Sequence, residues 1–149
     1  MLKRITVAVD GSQASELPLG HAIHHARQNN AVLTGIFIID GQWADFIGND
    51  WQSSKGARQG FLDYILKEQE AQAQLAQTQF QQAVGDWSQA VFEVLAGDPI
   101  RMLVERATPD RTDLLITSRR VFQVSGRPIL KTLASQLAQR ASCPLLLLP

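Results

Sequence analysis

Cysteine is nearly absent: the 149 residues contain one, Cys143, so no disulfide can form within the chain. That pattern fits a reducing compartment. Net positive charge is also missing. Lys plus Arg number 14 and Asp plus Glu number 14, which argues against a general nucleic-acid binder, since such proteins need a surplus of cations to neutralise phosphates. No apolar run is long enough to cross a membrane or form a leader segment. The first run, in MLKRITVAVDG, stops at Asp10, and Leu145–Leu148 is far too short. The expectation is a soluble, cytoplasmic protein without membrane insertion. The phosphate-loop, dinucleotide-fold and nucleophile-elbow patterns G-x-x-x-x-G-K-[ST], G-x-G-x-x-G and G-x-S-x-G do not occur. Finally, residues 114–149 hold no acid, while Arg119, Arg120, Arg127, Lys131 and Arg140 make that quarter basic.

What is present suffices for one domain spanning residues 1–149, since 45% of the residues are hydrophobic. Apolar, β-branched runs at 5–9, 32–39, 90–95, 113–117 and 144–148 read as strands. Between them lie helical patterns. The first is capped by Ser12 or Ser15 and presents Leu19, Ala22, Ile23 and Ala26 on one face. A long helix over about 61–84 presents Ile65, Ala73, Ala76, Phe80, Ala83 and Trp87, with a glutamine-rich face toward solvent. Shorter helices are expected at 100–107 and 131–141, and loops at 41–60 and 119–130. Strands alternating with helices predict a doubly wound α/β fold, a five-stranded parallel sheet with helices on both faces. The continuous apolar strands agree, because parallel strands are buried on both sides.

Such sheets bind ligands at the carboxyl ends of their strands, where strand order reverses. For an order of 3-2-1-4-5 the reversal lies between strands 1 and 4. Asp10-Gly11-Ser12 would meet Thr117-Ser118-Arg119-Arg120 there, beside Lys131-Thr132 at the start of the last helix. Helix N-termini and basic side chains favour an anion, and the expected ligand is an anionic small molecule such as a nucleotide. The competing reading is a solvated basic loop without a ligand.

These residues resemble the universal stress protein family over nearly the whole chain. ITVAVDGSQASELPLGHAIHHARQNNAVLTGIFIID is similar to its first strand, Asp turn, helix and second strand. VLAGDPIRMLVERA is similar to its third strand, Gly-x-Pro turn and helix, and LASQLAQRASCPLLLL to its last helix and Cys-Pro strand. The resemblance implies a flavodoxin-like or adenine-nucleotide-hydrolase-like fold of order 3-2-1-4-5. It also implies a homodimer formed through the last strand, here Leu145, Leu146, Leu147 and Leu148. That strand would otherwise be an exposed edge.

Family members that bind ATP or AMP carry Gly-x2-Gly-x9-Gly-Ser/Thr after strand 4. Those glycines fall here on Thr117, Arg120 and Lys131, in a loop one residue too long, and only the final position, Thr132, is kept. Gly126 falls on no motif position. On the base side the resemblance retains Asp10 after strand 1, Ile38, whose backbone would meet adenine, and Gly97 in the turn after strand 3. It therefore implies a dimeric binding or signalling module in stress response. Such a module would work through an unidentified protein partner and would not hold ATP in the usual way. The alternative is an adenine-nucleotide sensor, with ATP or AMP held by Arg119, Arg120 and Lys131 side chains. A slow nucleotide hydrolase ranks last, with Asp10 as the one evident base, so the expectation is a non-enzyme.

Three further groups stand outside this crevice. His21, His24 and His25 share one helix face but lack further ligands, and read as surface or half-buried histidines. Trp43, Phe46, Trp51, Phe61 and Tyr64 read as packing that anchors the long helix, with a lid or partner surface as the alternative. Cys143 reads as a small buried hydrophobe. A phospho-receiver reading fails because strand 1 supplies one acid and no lysine follows the last strand.

Overall fold

The computed structural model describes residues 2–51, 55–123, 126–128 and 131–149. Five parallel strands, β1 (Arg4–Ala8), β2 (Val32–Asp40), β3 (Ala90–Gly97), β4 (Leu114–Ser118) and β5 (Leu145–Leu148), form one sheet of order β3-β2-β1-β4-β5. The order expected from the sequence is the order found. Helices α1 (Glu16–Asn29) and α3 (Lys55–Val84) pack together, as do α4 (Pro99–Arg106) and α5 (Leu133–Arg140). A right-handed crossover places successive helices in this way, and both sheet faces are covered. Residues Ile5, Val7, Leu33, Ile36, Phe37, Leu115 and Ile116 form the centre of the core.

Several local expectations are corrected. Residues 41–60 are not all loop. A short helix α2 (Trp43–Ile47) ends at Gly48, whose φ is 70°. Helix α3 begins at residue 55, before 61, despite Gly56 and Gly60. Arg58 stabilises this early turn by donating from Nε to the Gly48 carbonyl at 2.8 Å and from Nη2 to the Ala44 carbonyl at 3.1 Å.

The buried stripe of α3 runs Gln69, Ala73, Ala76, Phe80 and Val84, at helical spacing, while Ala83 faces solvent. β3 is an edge strand with Val91 and Val94 exposed, so burial on both sides holds for β1 and β4 but not here. The last helix starts at Leu133, after a Thr132 cap whose Oγ1 accepts the Ser135 N–H at 3.1 Å. Ser12 Oγ accepts from Ala14 N in the 3-10 turn Gln13–Ser15 that precedes α1; Ser15 makes no side-chain cap.

Candidate functional site

The carboxyl ends of β1 and β2 carry the same local sequence, an apolar residue followed by Asp-Gly: Val9-Asp10-Gly11 and Ile39-Asp40-Gly41. The two carboxylates have different fates. Asp10 is 1% exposed. Its Oδ1 accepts from the Ser12 N–H at 2.9 Å, the Ser12 hydroxyl at 2.6 Å and the Ser15 hydroxyl at 2.7 Å. Its Oδ2 accepts the Phe122 N–H at 3.1 Å. Four donors satisfy a buried carboxylate without a ligand.

Phe122 reaches this position with a φ of 63°. A bulky residue there is strained, which implies compensating contacts. Those are the Asp10 bond and an edge-on packing of its ring against Phe37, with centroids 5.5 Å apart.

Asp40 faces the other way. Its Oδ1 accepts the Gln42 N–H at 2.9 Å, and its Oδ2 accepts Arg127 Nε–H at 2.6 Å. Gln69 clamps its main chain: Oε1 accepts the Asp40 N–H at 2.6 Å and Nε2 donates to the Asp40 carbonyl at 3.1 Å. Farther along α3, Gln72 Nε2 donates to the Asp10 carbonyl at 2.6 Å and Gln79 Nε2 to the Ser12 carbonyl at 2.8 Å. The glutamine-rich face is thus only partly solvated. Three of its members satisfy carbonyls at the strand ends, a correction with a clear cause: carbonyls leaving a parallel sheet need donors.

Between these elements lies a cavity of about 600 Å³. β2 contributes Ile38 and Asp40, the start of α4 contributes Asp98, Pro99 and Ile100, and the start of α5 contributes Thr132, Leu133 and Gln136. The remaining wall is Gln69 with Arg119, Val121, Phe122, Gln123, Gly126, Arg127 and Pro128. The wall is mixed: Ile38, Val121, Phe122 and Leu133 are apolar, and Arg119, Arg127, Asp40 and Asp98 bring two cations and two acids, of which Arg127 and Asp40 are paired. Asp98 Oδ1 is buried without a hydrogen-bond partner among the described residues. A shallower groove of about 460 Å³ adjoins it, lined by Arg119, Arg120, Thr132, Ser135 and Leu147 among others.

Of the residues singled out in the sequence, Ile38, Arg119 and Thr132 meet in the cavity. Asp10 does not line it, but accepts the N–H of Phe122, which does. Thr117 is buried in the sheet, its hydroxyl 3.3 Å from the Ser118 carbonyl. Gly97 precedes the cavity residue Asp98, with a φ of 155° and its carbonyl accepting the Gly41 N–H at 2.8 Å. Arg120 belongs to the groove. Lys131 is exposed, and its carbonyl accepts from Gln136 Nε2 at 3.2 Å. Positions 124–125 and 129–130 of the expected loop lie outside the described residues.

Sequence reasoning missed Asp40, Gln69, Asp98, Phe122 and Arg127 as cavity residues. The repeated Asp-Gly after β2 was the available signal for Asp40; nothing local marks the others.

Elsewhere, the His21 and His25 rings stack at 6.4 Å and those of His24 and His25 meet at 5.6 Å. Trp43 packs on Phe46 and Phe61, and Trp51 on Phe61, at 5.6, 6.0 and 5.9 Å, which holds α2 against α3. Tyr64 is exposed. Cys143 is buried, and burial pushes its thiol above the ordinary value. No described helix is long and apolar enough to cross a membrane.

An open, doubly wound sheet with a concave, mixed apolar and charged cavity at its strand ends defines the chain as a doubly wound α/β protein with a candidate site where that class places one. The sequence profile of the Universal stress protein family matches residues 1–149, and the chain belongs to that family. It is 26% identical to Universal stress protein MJ0531 of Methanocaldococcus jannaschii over 98% of this chain and 81% of the relative. The fold is similar to that of universal stress protein UspA from Lactobacillus plantarum. Its TM-score is 0.73 at 22% identity, covering 99% of this chain and 98% of the other. A universal stress protein in complex with cAMP has a TM-score of 0.64 at 20% identity, covering 99% and 97%.

Proposed function

We propose that the protein is a stress-response binding module whose cavity takes an adenine mononucleotide held by side chains instead of a glycine cradle. The observation that carries this reading is the cavity of about 600 Å³, whose wall combines the apolar side chains of Ile38, Phe122 and Leu133 with two arginines, Arg119 and Arg127. Its size lies within the ordinary range for small-molecule sites, about 300–1,000 Å³. Ile38 and Phe122 offer an apolar surface to a purine, and Arg119 and the Thr132 hydroxyl offer donors to a phosphate. The cAMP complex of a similarly folded family member supports an adenine ligand.

Arg120 and Lys131 stand where the family's glycines would cradle a triphosphate, which favours AMP or cAMP over ATP. The reading is of binding, not turnover, because Asp10 is engaged by four donors and lies outside the cavity. It includes a cytoplasmic homodimer paired through β5.

The test is calorimetric titration of the purified, nucleotide-free protein with AMP, cAMP, ATP and adenosine. AMP or cAMP should bind more tightly than ATP. Arg119→Ala should weaken AMP about ten-fold, the size of one charge-assisted contact of about 1.4 kcal/mol. Absence of heat with all four would refute the reading.

A second reading, a module acting through a protein partner without a nucleotide, is favoured by one observation. Asp10, where strand order reverses, is buried and spends its carboxylate on protein donors, one of them the Phe122 N–H.

A further inference from the structure

We infer that Arg127 is a second anion ligand of this cavity and that Asp40 is its positioning residue. The inference rests on the nucleotide reading of the cavity and deepens it. A guanidinium carries five N–H donors in a planar fork. In Arg127 the Nε–H alone is engaged among the described residues, by Asp40 Oδ2 at 2.6 Å. Both Nη nitrogens are left over, on a residue that lines the cavity. The side chain is 20% exposed and its partner 6%.

Among the described residues Arg101 also pairs through Nε alone, but on an exposed helix face; what sets Arg127 apart is its place in the cavity wall. Two other arginines that are tied down spend more of the guanidinium on the protein. Arg4 uses Nη1 and Nη2 on the carbonyls of Asp110 and Pro109 and on the Asp113 carboxylate. Arg58 uses both Nε and Nη2 on carbonyls of α2 and its C-terminal Gly48. Arg127 is held by one nitrogen at its stem side, and its end-on pair of nitrogens remains available. That pair matches two oxygens of a phosphate or carboxylate.

The clamp behind it is rigid. Asp40 is fixed through its carboxyl by the Gln42 N–H and through its main chain by both ends of the Gln69 amide. A carboxylate so held sets the direction of the arginine. The ligand class is therefore an oxyanion able to accept two parallel N–H bonds, the phosphate of a mononucleotide above all.

A different role for the same ion pair is a latch that merely ties the loop to β2 and competes with the ligand. The two roles predict opposite signs for Asp40→Asn. That change removes a negative charge from the cavity wall. If Asp40 competed, anion affinity would rise. If it positions Arg127, affinity falls although the site becomes more positive.

The experiment titrates wild type, Asp40→Asn and Arg127→Lys with AMP, adenosine and inorganic phosphate, with circular dichroism to check folding. Arg127→Lys keeps the charge and loses the fork, and AMP affinity should drop about ten-fold while adenosine is unaffected. Asp40→Asn should lower AMP affinity several-fold. Unchanged AMP affinity in Arg127→Lys, or a rise in Asp40→Asn, overturns the inference and leaves the nucleotide reading standing. Phosphate binding that is lost in Arg127→Lys, in a protein that ignores AMP, sinks the nucleotide reading and keeps the inference. No binding of any of the three overturns both. Should Asp40→Asn unfold, Arg127→Lys leaves the Asp40 clamp intact and carries the test.

Discussion

Replacing Asp10 by Asn tests whether this carboxylate is part of the architecture. Oδ1 and Oδ2 together accept four hydrogen bonds in a setting that is 1% exposed. In Asp10→Asn the amide oxygen can still face Ser12 and Ser15, whose hydroxyls rotate to suit it. The amide NH2 then meets the Phe122 N–H, donor against donor, and each buried unsatisfied group costs about 1–3 kcal/mol. The charge assistance of the three remaining bonds is lost as well. A net loss of about 3 kcal/mol follows, a large fraction of the 5–15 kcal/mol that typical domains possess.

Urea unfolding followed by far-UV circular dichroism reads this directly. With a slope of about 2 kcal/mol per molar, the midpoint should fall by about 1.5 M. Ser15→Ala should fall in the same direction, because the Ser15 hydroxyl both donates to Oδ1 and accepts the Asp10 N–H at 2.8 Å. A midpoint for Asp10→Asn within about 0.3 M of wild type would refute the reasoning, because an unmet buried donor could not then be present.

Three other outcomes are expected. Gly35→Ala places a Cβ 2.6 and 2.7 Å from ring carbons of Phe80 and 2.9 Å from Phe92, so the paired rings must shift. The cost is about 2 kcal/mol, seen as a melting temperature lower by about 6 °C. Asp113 is held below the usual carboxylate range, first by the Arg4 side chain and then by the Lys3 N–H. Because its folded pKa is depressed, its stabilisation is present above the unfolded value of about 3.9 and is lost as pH falls through the folded one. Urea midpoints of wild type and Asp113→Asn should therefore differ at pH 7 and converge in acid. In β5 the carbonyls of Pro144 and Leu148 bond inward to Leu115 and Arg119, so by alternation the Leu147 N–H points to the open edge. If β5 pairs as proposed, wild type should sediment as a dimer and Leu147→Pro should keep the fold and sediment as a monomer. A dimer in both would show that this edge is not the interface.

The sheet was legible in the sequence because its determinants are local. Short apolar runs separated by helical patterns leave parallel pairing through right-handed crossovers as the ready solution; the strand order came from the family resemblance, and it is the order found. The length of α3 was less legible. Gly56 and Gly60 speak against helix, and Arg58 overrides them through contacts with α2. The inward turn of Gln69, Gln72 and Gln79 was hidden for a similar reason. A glutamine on a helix reads as solvated until the carbonyls opposite it are known.

The site depended most on tertiary structure. Asp10 and Asp40 end neighbouring strands in the same Asp-Gly context, and their local sequence treats them alike. One is sealed by the N–H of Phe122, 112 positions away, and the other faces the cavity paired with Arg127, 87 positions away. The sequence by itself determined that acids stand at the carboxyl ends of β1 and β2. Only the path of the chain after β4 decided which is sealed and which serves the cavity, because a buried carboxylate takes the role that its donors give it.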